Sequence, residues 1–177
     1  MIKLKAPLTN KDVKALKAGD EVLISGTIYT ARDSAHRLFG KKPPFKVAGQ
    51  ILYYASPTPA KPGRVIGSIG PTTASRMDAF TPELLKKGLK AMIGKGSRGE
   101  EVIAAMKKYQ AVYLVVPGGA AAALSKHVKK ANVIAYPDLG PEAVLEMEVL
   151  DFPAIVAIDC KGRNLFETGK KKFYHGT

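Results

Sequence analysis

Residues 111–117, AVYLVVP, form an unbroken apolar run. A short stretch with no polar face suits a strand covered on both sides, as in the interior of a layered α/β sheet. Before it stands SRGEEVIAAMKKY, where Ser97 and Glu100 form an S-x-x-E capping box ahead of Val102, Ile103 and Met106. After it come a small-residue turn and helix, GGAAAALSKHVKKA, and a strand, NVIAYP. Such alternation implies an α/β fold with some parallel pairing.

The N-terminal half reads as richer in strands and less regular. TNKDVKALKAGD predicts a short helix with Thr9 as N-cap, Asp12 at N3 and Gly19 closing it. Residues 21–31 predict a strand, with Gly26 marking a bulge or a close approach. RDSAHRLFG reads as a turn or short helix, and KKPPF must be irregular because of its two prolines. Strands are expected at 49–57 and in VIGSIG. A helix is expected over 81–94, with Thr81 as N-cap and Pro82 at N1. FPAIVAIDCKGRNLFE predicts a strand, a tight turn at Lys161–Gly162 and a returning strand. The mixture suggests β/β/α layering within one domain, 1–177.

Composition narrows the function. The 177 residues carry 28 Lys+Arg against 15 Asp+Glu, a formal net charge of +13. That excess fits either a nucleic-acid partner or a lysine-rich surface facing an acidic subunit. The spread of the basic residues, the lack of Trp and the absence of aromatic–basic interleaving favour the second, without nucleic acid. No apolar run approaches the roughly 20 residues that cross a bilayer, and MIKLKAPLTNKD lacks a secretory apolar region. A cytoplasmic location is therefore expected. Cys160 is the one cysteine, which excludes an internal disulfide and a cysteine-based metal site.

Three places join flexible backbone to polar groups. In GSIGPTTASRMDAF, Thr72, Thr73 and Ser75 crowd a Gly-Pro turn, with Arg76 close behind. They make either an over-polar helix cap or a carboxylate or phosphate site. In TARDSAH, Arg32 and Asp33 stand at a strand end, as ligand-facing groups or as a surface pair, and His36 is a candidate acid or base. In IGKGSRG, three glycines around Lys95 and Arg98 form either a phosphate-cradling loop or a simple connection, and no Walker pattern is present. Arg32, Arg76 and Lys95 suit a substrate with two carboxylates, each needing a charge-assisted partner once it leaves water. No electrophile, metal-ligand cluster or nucleophilic triad accompanies them.

GTIYTARDSAHRLF, GQILYYASP, GSIGPTTASRMDAFTPELL, MIGKGSRG, VYLVVPGGAAAALS and VIAYPDLGPEAVLEMEVLDFPAIVAID resemble, in that order, the β subunit of two-subunit class I fumarate hydratases. They are similar also to the C-terminal domain of the single-chain enzymes and to L-tartrate dehydratase β subunits. The resemblance implies a swivelling β/β/α domain with a mixed sheet. It implies reversible hydration of fumarate to L-malate by a 4Fe–4S hydro-lyase whose cluster is held by the α subunit, with an α2β2 heterotetramer as the assembly. On this resemblance Arg32, Arg76, Lys95 and Thr73 bind the dicarboxylate and Thr72 takes part in proton transfer. Ala74-Ser75 stands where relatives often have Ala-Gly, a change small in size.

Overall fold

The computed structural model describes residues 1–39, 42–116 and 119–173. Lys41 of KKPPF, and Pro117 and Gly118 of the apolar run and turn, therefore lie outside the described residues. In chain order the elements are β1 (Ile2–Ala6), α1 (Asn10–Ala15), β2 (Glu21–Thr30), α2 (Asp33–Phe39), β3 (Ile51–Tyr53), β4 (Ala55–Pro57) and β5 (Ile69–Pro71). A 3-10 turn, Ala74–Met77, leads to α3 (Thr81–Lys86), β6 (Ala91–Gly94), α4 (Glu100–Tyr109), β7 (Val112–Val115), α5 (Ala121–Ser125) and β8 (Val128–Ala135). A second 3-10 stretch, Pro137–Glu142, precedes β9 (Val144–Ile158) and α6 (Leu165–Phe173). No helix among the described residues is long and apolar enough to cross a membrane.

The fold is mixed α/β, and its main sheet is ordered β1-β2-β3-β6-β7-β9-β8. From β1 to β7 the neighbours are parallel, whereas β9 is antiparallel to β7, β8 and β2. Because β2 lies along β9 from Glu21↔Ile155 to Thr30↔Leu145, the pairings β2–β3–β6–β7–β9–β2 close into a ring. The small β4–β5 pair forms a second sheet.

Strand alternation separates two cores. Ile51, Tyr53, Ile93, Val112, Leu114 and Val156 join one apolar cluster, together with Val13 and Leu16 from the α1 region. Leu52, Tyr54, Met92 and Tyr113, the residues between, join another with Ala35, Leu85 and Met106 of α2, α3 and α4. Both faces of β3, β6 and β7 are therefore dry, as the AVYLVVP run predicts. Gly26 also behaves as expected. The β2–β9 register shifts there, its φ is +105°, and a Cβ would fall 2.7 Å from the Ala6 carbonyl oxygen.

Several boundaries differ from the sequence reading. The capping box at Thr9 and Asp12 forms, but the one at Ser97 and Glu100 does not. Gly99 is the N-cap of α4, and its N–H donates to the Asp78 carboxylate at 2.7 Å. The helix expected over 81–94 stops at Lys86. Gly88 adopts φ +95°, its N–H reaches the Leu85 carbonyl, and Leu89 N–H reaches Leu84, a Schellman closure. Residues 91–94 then form the buried strand β6. Phe80, not Thr81, is the N-cap of α3, and the Thr81 hydroxyl donates to the Met77 carbonyl. Residues 49–57 divide at Tyr54 between the two sheets. VKKA joins NVIA in one strand, β8. The returning strand after Gly162 is a single bridge, Ile158↔Asn164, followed by α6.

Candidate active site

Parallel pairing of β2, β3 and β6 brings their C-terminal ends to one edge, a common location for ligand sites in α/β sheets. Beyond that edge the backbone ladder continues irregularly. Ala31 N–H donates to Tyr53 O at 3.2 Å, Tyr54 N–H to Ile93 O at 2.8 Å, and Thr72 N–H to Tyr54 O at 2.6 Å. Lys95 N–H then donates to Thr72 O at 3.1 Å, and Ala74 N–H to Lys95 O at 2.9 Å. Thr73 and Lys95 form a parallel bridge. This docking requires Gly94, where a Cβ would stand 3.0 Å from Ala74 Cβ and 3.1 Å from the Tyr54 ring.

The cap alternative for Thr72, Thr73 and Ser75 fails on this geometry. The helix there is a four-residue 3-10 turn that already contains Ser75, and Thr73 at its N-cap makes no side-chain cap bond. The Thr72 carbonyl and the Ala74 N–H, on either side of Thr73, hold the segment against Lys95, so the threonine backbone is fixed without a hydroxyl closing a helix.

The two arginines are anchored by carboxylates. Arg76 forms an ion pair with Asp33, the first residue of α2, and its side chain remains 51% exposed. Only one of its nitrogens is engaged in that pair, so the other N–H groups of the planar fork remain available to a ligand. Arg32 is drawn inward. Its Nη2 pairs with Glu142 at 3.3 Å and its Nη1 donates to Ser56 Oγ at 3.2 Å. Glu142 also accepts from Ser34 N–H at 3.3 Å, so one carboxylate fixes both Arg32 and the start of α2. Arg32 Nε and Asp33 Oδ1 are buried without a partner among the described residues.

His36 is not an accessible acid or base. It lies 2% exposed beside Phe39, Tyr54 and Phe80. Its Nδ1 lies 2.7 Å from the Arg32 carbonyl, which only accepts, so Nδ1 carries the proton. Burial pushes its pKa down to about 4, against the opposing pull of the Arg32 carbonyl and Asp33. Its role is to hold the turn that presents Arg32. The unfolded chain takes up a proton at His36 near pH 6.5, so its contribution is complete above that pH. It is lost as pH falls toward about 4, a total of about 3 kcal/mol. Urea midpoints measured from pH 7 to pH 4.5 should fall less steeply in His36→Asn, whose amide keeps a donor for Arg32. Identical slopes in the two proteins would remove His36 as the cause.

Arg98, grouped with Lys95 by sequence, has a different task. Its side chain is fully buried, with Nε donating to Asp78 at 2.7 Å and Nη2 to Thr81 Oγ1 at 2.7 Å. Its guanidinium stands 5.3 Å from the Tyr54 ring centroid and 5.2 Å from that of Tyr113. Tyr113 in turn donates to Gly96 O at 2.9 Å. The GKGSRG loop is thereby fixed to the segment carrying Arg76.

Thr72, Thr73, Lys95, Arg76 and Arg32 thus share one edge, with Asp33 and Glu142 balancing the arginines. Sequence reasoning left Asp33 as either a ligand-facing group or half of a surface pair with Arg32, and missed Glu142, Ser56, Asp78 and Tyr54 as supports. Local spacing offers no signal for a contact such as Ser34–Glu142, made across 108 residues.

Residues 1–169 match the family model described as Fumarase C-terminus. The chain belongs to that family. Among relatives it is 44% identical over 179 residues to the "Putative L(+)-tartrate dehydratase subunit beta" of Methanocaldococcus jannaschii, covering 94% of this chain and 92% of that protein. It is 39% identical over 153 residues to "Fumarate hydratase class I, anaerobic" of Escherichia coli, covering 81% of this chain and 28% of that one. It is 35% identical over 175 residues to "Fumarate hydratase 2" of Leishmania major, covering 93% and 31%. The chain therefore spans about a third or less of these two fumarate hydratases.

A 4Fe–4S cluster does not fit the residues of this Fumarase C-terminus chain. No three His, Cys, Asp or Glu side chains converge among the described residues. Cys160 is buried with Sγ 3.7 Å from the Val13 carbonyl. It lies just past the end of β9 that pairs with the start of β2, away from Arg32.

Proposed function

We propose that the chain is the β subunit of a hydro-lyase that hydrates fumarate to L-malate and reverses that reaction. The observation that carries this reading is the convergence of Arg32, Arg76 and Lys95 with the Thr72 and Thr73 hydroxyls at one sheet edge. Arg76 offers its other N–H groups to one carboxylate and Lys95 its ammonium to the other. Arg32, held by Glu142 and Ser56, contributes positive potential and orients the bound dianion. Thr73 adds a hydroxyl donor.

In the dehydration direction a proton leaves the carbon next to a carboxylate, and the electron pair passes onto that carboxylate. The adjacent cations offset the charge that builds there. In this reading Thr72 relays that proton. A threonine hydroxyl is a weak base, so a charged group of the partner has to accept from it. The 4Fe–4S cluster and the electrophile that takes the hydroxyl belong, in this proposal, to an α subunit in a cytoplasmic α2β2 assembly. The chain acts there as one swivelling domain, 1–177.

A second reading is supported by the M. jannaschii relative, which matches this chain over nearly the whole length of both proteins. On that reading the substrate is L-tartrate, which has one more hydroxyl than malate. Anaerobic reconstitution with a cluster-bearing α subunit, assayed on fumarate, L-malate and L-tartrate, decides between the two. Turnover of fumarate and malate is expected, and none from this chain alone. Activity without a partner would overturn the two-subunit reading.

A further inference from the structure

A cavity of about 240 Å³ opens between the loop joining β4 to β5 and the junction of α5 with β8. Lys61, Arg64 and Lys126 line it together with the hydroxyl-bearing Thr58, Ser68 and Ser125. A neighbouring cavity of about 140 Å³ shares Arg64, Ser125 and Lys126. No carboxylate lines either one. None of the three cations has an ion-pair partner among the described residues.

The wall that carries Lys61 and Arg64 is braced. Thr58 N–H donates to Ser68 O at 3.0 Å and Arg64 N–H to Lys61 O at 3.0 Å. Gly67 packs so closely that a Cβ there would lie 2.2 Å from the Thr58 carbonyl oxygen. Three like charges lining one concavity repel one another, and the walls focus their field on whatever enters. A singly charged carboxylate would leave two of them unmatched. We propose that this cleft binds a compact polyanion bearing two or more phosphate or carboxylate groups, with the Thr58 and Ser68 hydroxyls as additional donors.

The cleft is separate from the sheet-edge site and does not depend on the function proposed for it. Arg32, Thr72, Thr73, Arg76 and Lys95 do not line the cleft.

Calorimetric titration of the full chain with inorganic pyrophosphate, and separately with citrate, at about 0.15 M salt tests this. At least one should bind with a Kd below about 1 mM, and the two arms distinguish phosphate from carboxylate recognition. The triple variant Lys61→Gln/Arg64→Gln/Lys126→Gln should bind at least about tenfold more weakly. Lys3→Gln/Lys5→Gln/Lys11→Gln removes the same charge elsewhere and should bind as the wild type does. If the cleft triple variant fails to fold, Arg64→Gln alone replaces it. No binding of either anion overturns the proposal. So does an equal loss in both variants, or unchanged affinity in the cleft variant.

Discussion

Replacing Arg76 by alanine should lower kcat/KM of the reconstituted α–β enzyme by about 10²–10³-fold, the cost of losing one positioned donor to developing charge. Arg76→Lys should recover part of that loss, because an ammonium restores charge without the planar fork. Asp33 complicates a single substitution. Its side chain is 14% exposed and Arg76 is its ion-pair partner, so removing Arg76 strands a partly buried carboxylate. Comparison with Arg76→Ala/Asp33→Asn separates the two effects. A binding loss persists in the double variant, whereas a loss due to the stranded charge is relieved. Near-normal turnover in Arg76→Ala would take Arg76 out of the site.

The second large effect concerns Arg98. Its fully buried side chain bonds Asp78 and Thr81, and Asp78 also holds the N-terminus of α4 through Gly99. Arg98→Met, which keeps much of the volume but leaves Asp78 without its countercharge, should destabilise the chain by about 3–5 kcal/mol. Asp78→Asn should do comparable harm from the other side. The double variant should cost much less than the sum, because the two share one interaction. Denaturant midpoints of the three variants check this. A change of less than about 1 kcal/mol in Arg98→Met would mean the pair holds nothing together. Activity should fall with stability, since the same contacts fix the loop of Lys95 against the segment of Arg76.

The parts of the fold legible in sequence are those with a local cause. The Thr9–Asp12 capping box, the bulge at Gly26 and the two-sided burial of 112–115 each follow from a few adjacent residues. The 81–94 expectation failed because apolar spacing continued past a stop signal that was present, Lys87 followed by Gly88. The Ser97–Glu100 box failed for a tertiary reason: Asp78, some twenty residues earlier, had taken over the cap. Candidate site residues were legible as polar groups crowded at turns. Their supports were not, because Glu142, Ser56 and Tyr54 resemble ordinary loop and core residues until the fold brings them in.

The ring formed by β2 and β9 also sets the order in which the molecule can assemble. Leu145 donates to the Thr30 hydroxyl, and Glu142 reaches Arg32 and Ser34, each across more than a hundred residues. Such long-range closure is slow, because the intervening chain must be ordered before any contact compensates for it. During synthesis the turn carrying Arg32 and Asp33 emerges early but stays unanchored until the β9 segment arrives. Newly made chains are therefore most exposed to proteolysis and misassociation in that interval, and deletions near β9 should damage the Arg32 turn as severely as deletions beside it.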